Sequence, residues 1–426
     1  MTNDAKERMK WKVRIRDCVN QARDLSSQPV RKLMAEVMGG MLSSGSLQLS
    51  QIARSLKEPT RLHHTLKRLS RMLGKHSEIT WLAEDLLLKL MAPWLTNEMV
   101  IGIDPGDLNR SGSQRSEGLC RVRDEDTEEI VNGYPLITVV GRCLKRGVTL
   151  PLLTRLLSSN RGSYKSENRD IMMAMERVRG QLGWGIDPLW VMDRGGDRNV
   201  LWDFWLKGDW QILVRVMNQR YWHWYGKLGT AQQIAKQLPL KHKGKLKANR
   251  SVEVRFGITT VTLNDHPDQP LSMVVVRHGK QEPMVLVSTQ RIRGRLQGQR
   301  LIQSYMSRWA CEEGYRFTKQ GFGMERVQAR TLSTLQNLVS LATLAWGLLA
   351  AHESQGKHLL DKARRQKPQT PMVFSFYTLL SGWQRLFADA NTLFYDWWRR
   401  PRTDDPPTTV DLFSAQGGLP IPINDQ

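Results

Sequence analysis

Near residue 98 the hydrophobic period of the chain changes from that of helices to that of strands, and the run that follows restricts the fold more than any other feature. Residues 99–103 are short, apolar and end in Asp104. Residues 134–143 and 148–157 are strand-like, with a turn at 142–147 between them. Residues 166–182 carry an amphipathic helical pattern, with Ser166 to cap it and Gly183 to close it. Residues 188–192 again have the character of a buried strand and end in an acid, Asp193. A helix over 199–206 and a strand over 210–217 complete a predicted order of β-β-β-α-β-α-β. One acid at a strand end is ordinarily a turn or cap residue. Acids at the ends of the first and fourth strands, with a third on a later helix, outweigh that reading.

The later helix is the stretch YMSRWACEEGYRFTK, residues 305–319. One continuous helix is predicted over 299–320, with only Gly314 against it. At about 100° per residue, Tyr305, Arg308, Glu312 and Lys319 fall within an arc of roughly 60°. In an arbitrary helix such a face is solvated and salt-bridged. With Asp104 and Asp193 upstream, Glu312 becomes the third acid. The layout is that of an RNase H-like domain, in which three chain-distant carboxylates meet at one edge of a mixed sheet. Three acids compete for these places. Asp107 and Asp197 lie in the following loops, where they can cap, and Glu313 points about 100° away from the Tyr305–Lys319 face.

Three converging carboxylates suit phosphodiester chemistry. Hydrolysis at neutral pH needs an activated water or hydroxyl and neutralisation of the leaving oxygen, and two divalent cations about 4 Å apart supply both. Hard cations take oxygen ligands. Asp104 is expected to bridge two Mg²⁺ ions, with Asp193 and Glu312 completing one site each, and Mn²⁺ as a substitute metal.

Charge points to the same partner. Lys and Arg number 63 against 41 Asp and Glu, a net +22 with pI ≈ 10.1. That surplus implies a polyanion, and nucleic acid comes first. Cys18, Cys120, Cys143 and Cys311 are scattered without metal-ligand or disulfide spacing, which predicts a reducing compartment. The N-terminus lacks the apolar core of a signal peptide, and the apolar run 335–351 contains Gln336, Asn337 and Ser340, so it is expected as a buried core helix. A soluble, cytoplasmic protein without a membrane partner is expected.

The remaining segments divide as follows. Residues 1–97 form an all-α N-terminal DNA-binding domain. Within it, 60–73 is a basic amphipathic helix with Thr60 as its cap, placing Arg61, His64, Lys67, Arg68 and Arg71 around Leu62, Leu66, Leu69 and Leu73. Residues 98–217 and 299–350 form the two parts of the α/β core. Between them, 218–298 is an inserted antiparallel β subdomain, with strands over 252–263, 271–277 and 284–289. Residues 227–250 carry seven Lys and Arg and no acid, including Lys241, Lys243, Lys245 and Lys247. A second acid-free run contains Arg291 and Arg293. Charge runs are usually solvated loops; flanking a nucleic-acid enzyme core, they are expected to meet phosphates. Trp222 and Trp224 are expected in strand packing. Residues 351–400 are helical, with Trp383, Trp397 and Trp398 packing and a possible dimerisation role, and 401–426 has the composition of a disordered tail.

Tyr305, Arg308, Glu312 and Lys319 match in identity and spacing the Y-(2)-R-(3)-E-(6)-K motif of DDE transposases of the insertion-sequence-four type. Ile103-Asp104 and Met192-Asp193-Arg194 resemble that family's first and second acidic motifs, and the resemblance covers about 98–350. It implies a cut-and-paste DNA transposase that binds terminal inverted repeats and target DNA, works as a homodimer across paired ends, and acts in a bacterial, nucleoid-associated setting. It implies that Tyr305, Arg308 and Lys319 grip phosphates near the transposon end. Where the family has a stacking Trp before a late insertion strand, this chain has Met284. An RNase H-fold nuclease that cuts without joining is the nearest alternative. A DNA-binding regulator using 60–73, or an inactive transposase, are the others.

Overall fold

The structure, a computed structural model, describes residues 2–124, 127–162, 164–247, 251–279, 282–353, 356–363 and 375–388. It is a mixed α/β protein whose twelve strands join in one mostly antiparallel sheet. Five helices come first: α1 (Asn3–Asn20), α2 (Gln28–Ser44), α3 (Leu49–Leu56), α4 (Leu62–Lys75) and α5 (Glu78–Met91). The first stretch of sheet is β1 (Met99–Asn109), β2 (Cys120–Arg123), β3 (Ile130–Cys143) and β4 (Thr149–Leu156). Then come α6 (Glu167–Arg179), β5 (Leu189–Met192), α7 (Asn199–Lys207) and β6 (Ile212–Arg215). The predicted β-β-β-α-β-α-β order is therefore present, with β2 added as a short side strand. Ser166 does cap α6, its hydroxyl accepting from the Arg169 N–H, but the helix closes at Gly180, one turn before Gly183.

Next come β7 (Tyr221–Trp224), β8 (Lys227–Thr230), α8 (Ala231–Gln237), β9 (His242–Lys247), β10 (Ser251–Leu263), β11 (His266–Arg277) and β12 (Met284–Ser288). The basic run 227–250 is thus no loop: it holds two strands and a helix. Its cations alternate with Gly244 and His242, which face inward against Phe256, so the period-2 signal of β9 is carried by what lies between the lysines. These strands do not form a separate sheet. β12 pairs with β6, so the row runs β4, β3, β1, β5, β6, β12, β11, β10 without a break. β1 is antiparallel to β3 and parallel to β5, and β5 is parallel to β6.

The chain closes with α9 (Arg295–Met306), α10 (Trp309–Arg316), α11 (Leu332–Ala351), α12 (Lys357–Ala363) and α13 (Phe376–Ala388). The long apolar α11 is buried from end to end, as expected of a core helix. It lies between α5 and β4, and one apolar cluster runs from Trp11 through the N-terminal helices, α11 and the sheet. A second cluster fills the space between α9 and the other sheet face, with Val100, Val191, Phe256 and Tyr305 among its members. Trp383 packs edge-on against Trp11 at 5.0 Å and stacks on Phe387. Trp222 is buried against Trp202, and Trp224 donates to the Thr259 hydroxyl. All four cysteines are buried and free. Trp397, Trp398 and the tail 401–426 lie outside the described residues.

One core position is sensitive to acid. His352, just beyond α11, is buried edge-on against Trp11, and neither ring nitrogen has a hydrogen-bond partner. Burial, assisted by the Arg14 cation, holds its pKa down at about 3 against an ordinary 6.5. Between these values the unfolded chain binds a proton that the folded chain refuses. Stability is therefore expected to fall as pH drops from about 6.5 towards 3, by up to about 1.4 kcal/mol per pH unit. In His352→Phe, which keeps the ring and removes both orphaned nitrogens, melting temperature should depend measurably less on pH over this window.

Candidate active site

β1 and β5 run side by side, with Gly102 opposite Val191. Asp104 stands two residues beyond this pair on β1, and Asp193 stands two residues beyond it just past the end of β5. Parallel pairing to β5 ends at Gly102, while β1 continues against β3 with Asp104 opposite Thr138. Asp104 is therefore inside a long strand, at the point where its neighbour β5 gives way to a turn. In that turn the Asp193 carboxylate accepts from the Gly195 N–H at 2.8 Å. This single hydrogen bond orients the side chain and leaves it capacity for another partner.

The third acid comes from α10. Its approach to the sheet depends on Gly102, since a methyl group there would overlap the Cys311 Sγ and touch Arg308. On the other side of α10, Gly314 seats against the ring of Trp346 on α11, again with no room for a Cβ. Two glycines thus let α10 sit between β1 and α11. Burial beside Asp104 pushes the Cys311 thiol pKa up, so it is an inert packing group.

One guanidinium then spans the acids. Arg308 Nη1 lies 3.3 Å from Asp104 Oδ1, and Nη2 lies 2.5 Å from Glu312 Oε1. The Arg308 side chain is 12% exposed, against 23% for Asp104 and 35% for Glu312. Burial opposes the Arg308 cation, but Asp104, Tyr305 and Glu312 outweigh it and raise the pKa of the guanidinium. The guanidinium is therefore held in a half-buried place by the two carboxylates it spans.

Two of the rival acids are used elsewhere. Asp197 is buried, takes the Trp202 indole N–H at 2.9 Å and the Met217 N–H at 2.7 Å, and has Arg220 Nε at 3.1 Å as an ion pair without hydrogen-bond alignment. It ties the turn after β5 to the end of β6. Asp197→Ala should cost roughly 2–5 kcal/mol by orphaning these groups. A clear drop in melting temperature is expected, where Asp193→Asn should leave it nearly unchanged. Glu313 pairs with Arg316. Asp107 lies within β1 rather than in a loop, and it is its backbone carbonyl that accepts from the Tyr315 hydroxyl.

The expected single helix with one functional face is not found. α9 ends at Met306, a tightened turn of i→i−3 bonds carries the chain through Ser307 and Arg308, and α10 begins at Trp309. The Ser307 hydroxyl donates to the Ser304 carbonyl at 2.6 Å, competing with the backbone for the bonds that would continue the helix. Residues Phe317–Gly321 then widen into a π turn. The i, i+4 pair Arg308–Glu312 survives because it lies at and within α10. Tyr305 is only 6% exposed and packs in the cluster under α9, and Lys319 pairs with Glu325 at 2.8 Å.

No protein-family model and no curated protein matches the chain. Among solved structures it is similar to a piggyBac transposase synaptic complex with hairpin DNA, at 9% identity and a TM-score of 0.46. The match covers 91% of this chain and 79% of that one.

Three hard-oxygen carboxylates suit Mg²⁺, and the captured Arg308 guanidinium marks a place that demands positive charge. Among the described residues, however, no three His, Cys, Asp or Glu side chains are gathered closely enough to hold a metal. In this arrangement it is Arg308 that stands between two of the three acids.

The other residues read as DNA contacts divide. Arg61, His64, Lys67 and Arg71 are exposed on α4. Arg68 is committed to structure, with Nη1 on Glu36 at 2.8 Å and Nη2 on Glu58 at 2.6 Å. Nor does Thr60 cap this helix; its hydroxyl meets the Thr65 hydroxyl and donates to the Glu58 carboxylate, and Arg61 takes the cap position. Lys241, Lys243, Lys245, Arg291 and Arg293 are exposed, and Lys247 ends β9 with its side chain outside the described set.

Proposed function

We propose that this chain is a DDE-type DNA transposase of the insertion-sequence-four kind, cutting and rejoining DNA at terminal inverted repeats. The reading rests above all on Arg308, which joins Asp104, 204 residues away in the sequence, to Glu312 one turn further along its own helix. The strand order β4, β3, β1, β5, β6, with β1 antiparallel to β3 and parallel to β5, supports an RNase H-like core extended by the β7–β12 insertion.

Asp104, Asp193 and Glu312 would hold the two Mg²⁺ ions, with Mn²⁺ able to replace them. Bound there, the ions supply an activated water or hydroxyl and neutralise the leaving oxygen. The chain's own part is to bring Asp104 and Glu312 together around Arg308, with Asp193 following the neighbouring strand. Arg308 balances their charge in the free protein. When a DNA phosphate arrives it offers the same guanidinium a further anionic partner, releasing Glu312. Lys319 exchanges Glu325 for phosphate in the same way, and the exposed cations of α4 and β9 carry the flanking duplex. The buried Tyr305 supports Arg308 from beneath the site rather than meeting DNA directly. A homodimer across paired ends, in a bacterial cytoplasm, completes this reading.

The test is an assay with Mg²⁺ and duplex DNA carrying the ends that flank the gene. Cleavage at those ends followed by joining of the freed 3′ hydroxyl to a target duplex is expected. Cleavage without joining would assign a nuclease, and binding without cleavage a regulator or an inactive element.

A further inference from the structure

One cation borders the acids that neither the motif nor the proposed chemistry uses. Gly102 of β1 pairs with Val191 of β5, and Val191 with Leu213 of β6, so the three form one row across the sheet. Two residues on from that row stand Asp104 in β1, Asp193 just past the end of β5, and Arg215, the last residue of β6. Arg215 also shares the face of Asp104. Its partner on β12 is Leu286, which belongs with Val100, Val191, Leu213 and Tyr305 to the cluster under α9. Directly paired residues point to the same side of a sheet. On β1, Val100, Gly102 and Asp104 alternate onto that side, Gly102 facing Cys311 and Arg308, and Asp104 paired with Arg308. Neighbouring strands lie about 4.8 Å apart, which puts the β6 backbone roughly 10 Å across from β1.

The Arg215 side chain is half-buried, and its Nε is enclosed by protein without a hydrogen-bond partner. Among the described residues it forms no ion pair either. The two other arginines nearest in the argument are committed: Arg308 spans Asp104 and Glu312, and Arg220 pairs with Asp197. A guanidinium carries five donors and stays charged, so holding one enclosed and unmatched costs stability in the free protein. A ligand that supplies the missing oxygens removes that cost. It must be an anion presenting two oxygens to a planar fork, and phosphate is such an anion.

We propose that Arg215 binds the DNA phosphate next to the scissile one on the cut strand and so fixes which bond lies over the acids. The inference rests on the reading of the site as a DNA-cutting one. The scissile phosphate belongs over Asp104 and Glu312, and Arg215, two strands away on the same face, is placed for its neighbour. Arg308 beside β1 and Arg215 on β6 stand on either side of β5. The strand is then held at two points, which sets its direction as well as its position.

The test is single-turnover cleavage by the full chain of duplex DNA carrying the gene's own ends, with one uncharged methylphosphonate linkage placed in turn on each side of the scissile bond. On ordinary DNA, Arg215→Gln should lower kcat/KM by roughly 10–100-fold, the loss of one charge-assisted contact. Its melting temperature should be unchanged or higher, since an orphaned buried donor is removed. Arg215→Lys, which keeps the charge without the fork, should fall between the two. One of the two neutral linkages should slow the wild type by a similar factor and cost Arg215→Gln little more, because both changes remove the same contact. Neutral linkages that slow wild type and variant by equal factors at both positions overturn the contact, and assign Arg215 to balancing the charge of the acids. Full activity in Arg215→Gln, or a lowered melting temperature with equal loss on every substrate, also overturns it. Wild-type protein that does not cut unmodified DNA overturns the functional reading itself.

Discussion

Asp104→Asn, Asp193→Asn and Glu312→Gln are each expected to lower metal-dependent DNA cleavage by roughly 10²–10³-fold or more, while DNA affinity stays equal or rises. The magnitude follows from removing one preorganised charged group from a water-poor site. The direction for affinity follows from charge: each substitution deletes a negative group from a surface that must accept phosphates. Asp104 and Glu312 also hold Arg308, so either change leaves that guanidinium with a single acid and freer to meet DNA. Cleavage rates and anisotropy titrations on the same preparations separate the two effects. A parallel loss of both would mean that the acids support structure, and retained cleavage in any one variant removes that residue from the site.

Gly102→Ala should be the most damaging small substitution outside the acids. Its methyl group would overlap the Cys311 Sγ, inside a contact where β1 and α10 have no slack. Overpacking of this kind costs about 1–3 kcal/mol. The effect on activity should be larger, because relief requires α10 to move away from β1, carrying Glu312 and Arg308 with it. A displacement of about 1 Å at a reacting centre can cost 10²-fold in rate. Cys311→Ala vacates the space that the new methyl needs. The double variant Gly102→Ala with Cys311→Ala should regain much of the cleavage activity, whereas Cys311→Ala alone should be nearly silent. Absence of rescue would show that Gly102 serves some purpose other than the approach of α10.

Asp104, Asp193 and Glu312 could be singled out in the sequence because each stands where a pattern changes. Asp104 and Asp193 follow apolar strand segments, and Glu312 stands four residues after an arginine on a helix. The succession of the main strands and helices between residues 99 and 215, apart from the short β2, could be read from period alone, since apolar runs bounded by turns leave few alternatives. Three features were hidden. The break at Ser307 depends on a side-chain hydroxyl competing with the backbone, which propensity does not register. The burial of Tyr305 and the partners of Arg68 depend on elements far away in the chain, here the β5–β10 face and Glu36 with Glu58. β9 was masked by its lysines: with charge at every second residue it has the composition of a solvated run, and only its neighbours Phe256 and Gly298 reveal which side is inside. A signal for Gly102 was present, a glycine two residues before a strand-end acid, but its meaning required knowing that a helix crosses there.

The most direct measurement of the central claim, that residues 104, 193 and 312 share one divalent-cation site, is hydroxyl-radical self-cleavage with bound Fe²⁺. Iron in the site should cut the backbone at three chain-distant places, near 104, near 193 and near 312. Excess Mg²⁺ should suppress all three cuts together, and Glu312→Gln should weaken all three. Cuts confined to one of these segments, or cuts that persist unchanged in Glu312→Gln, would contradict a shared site.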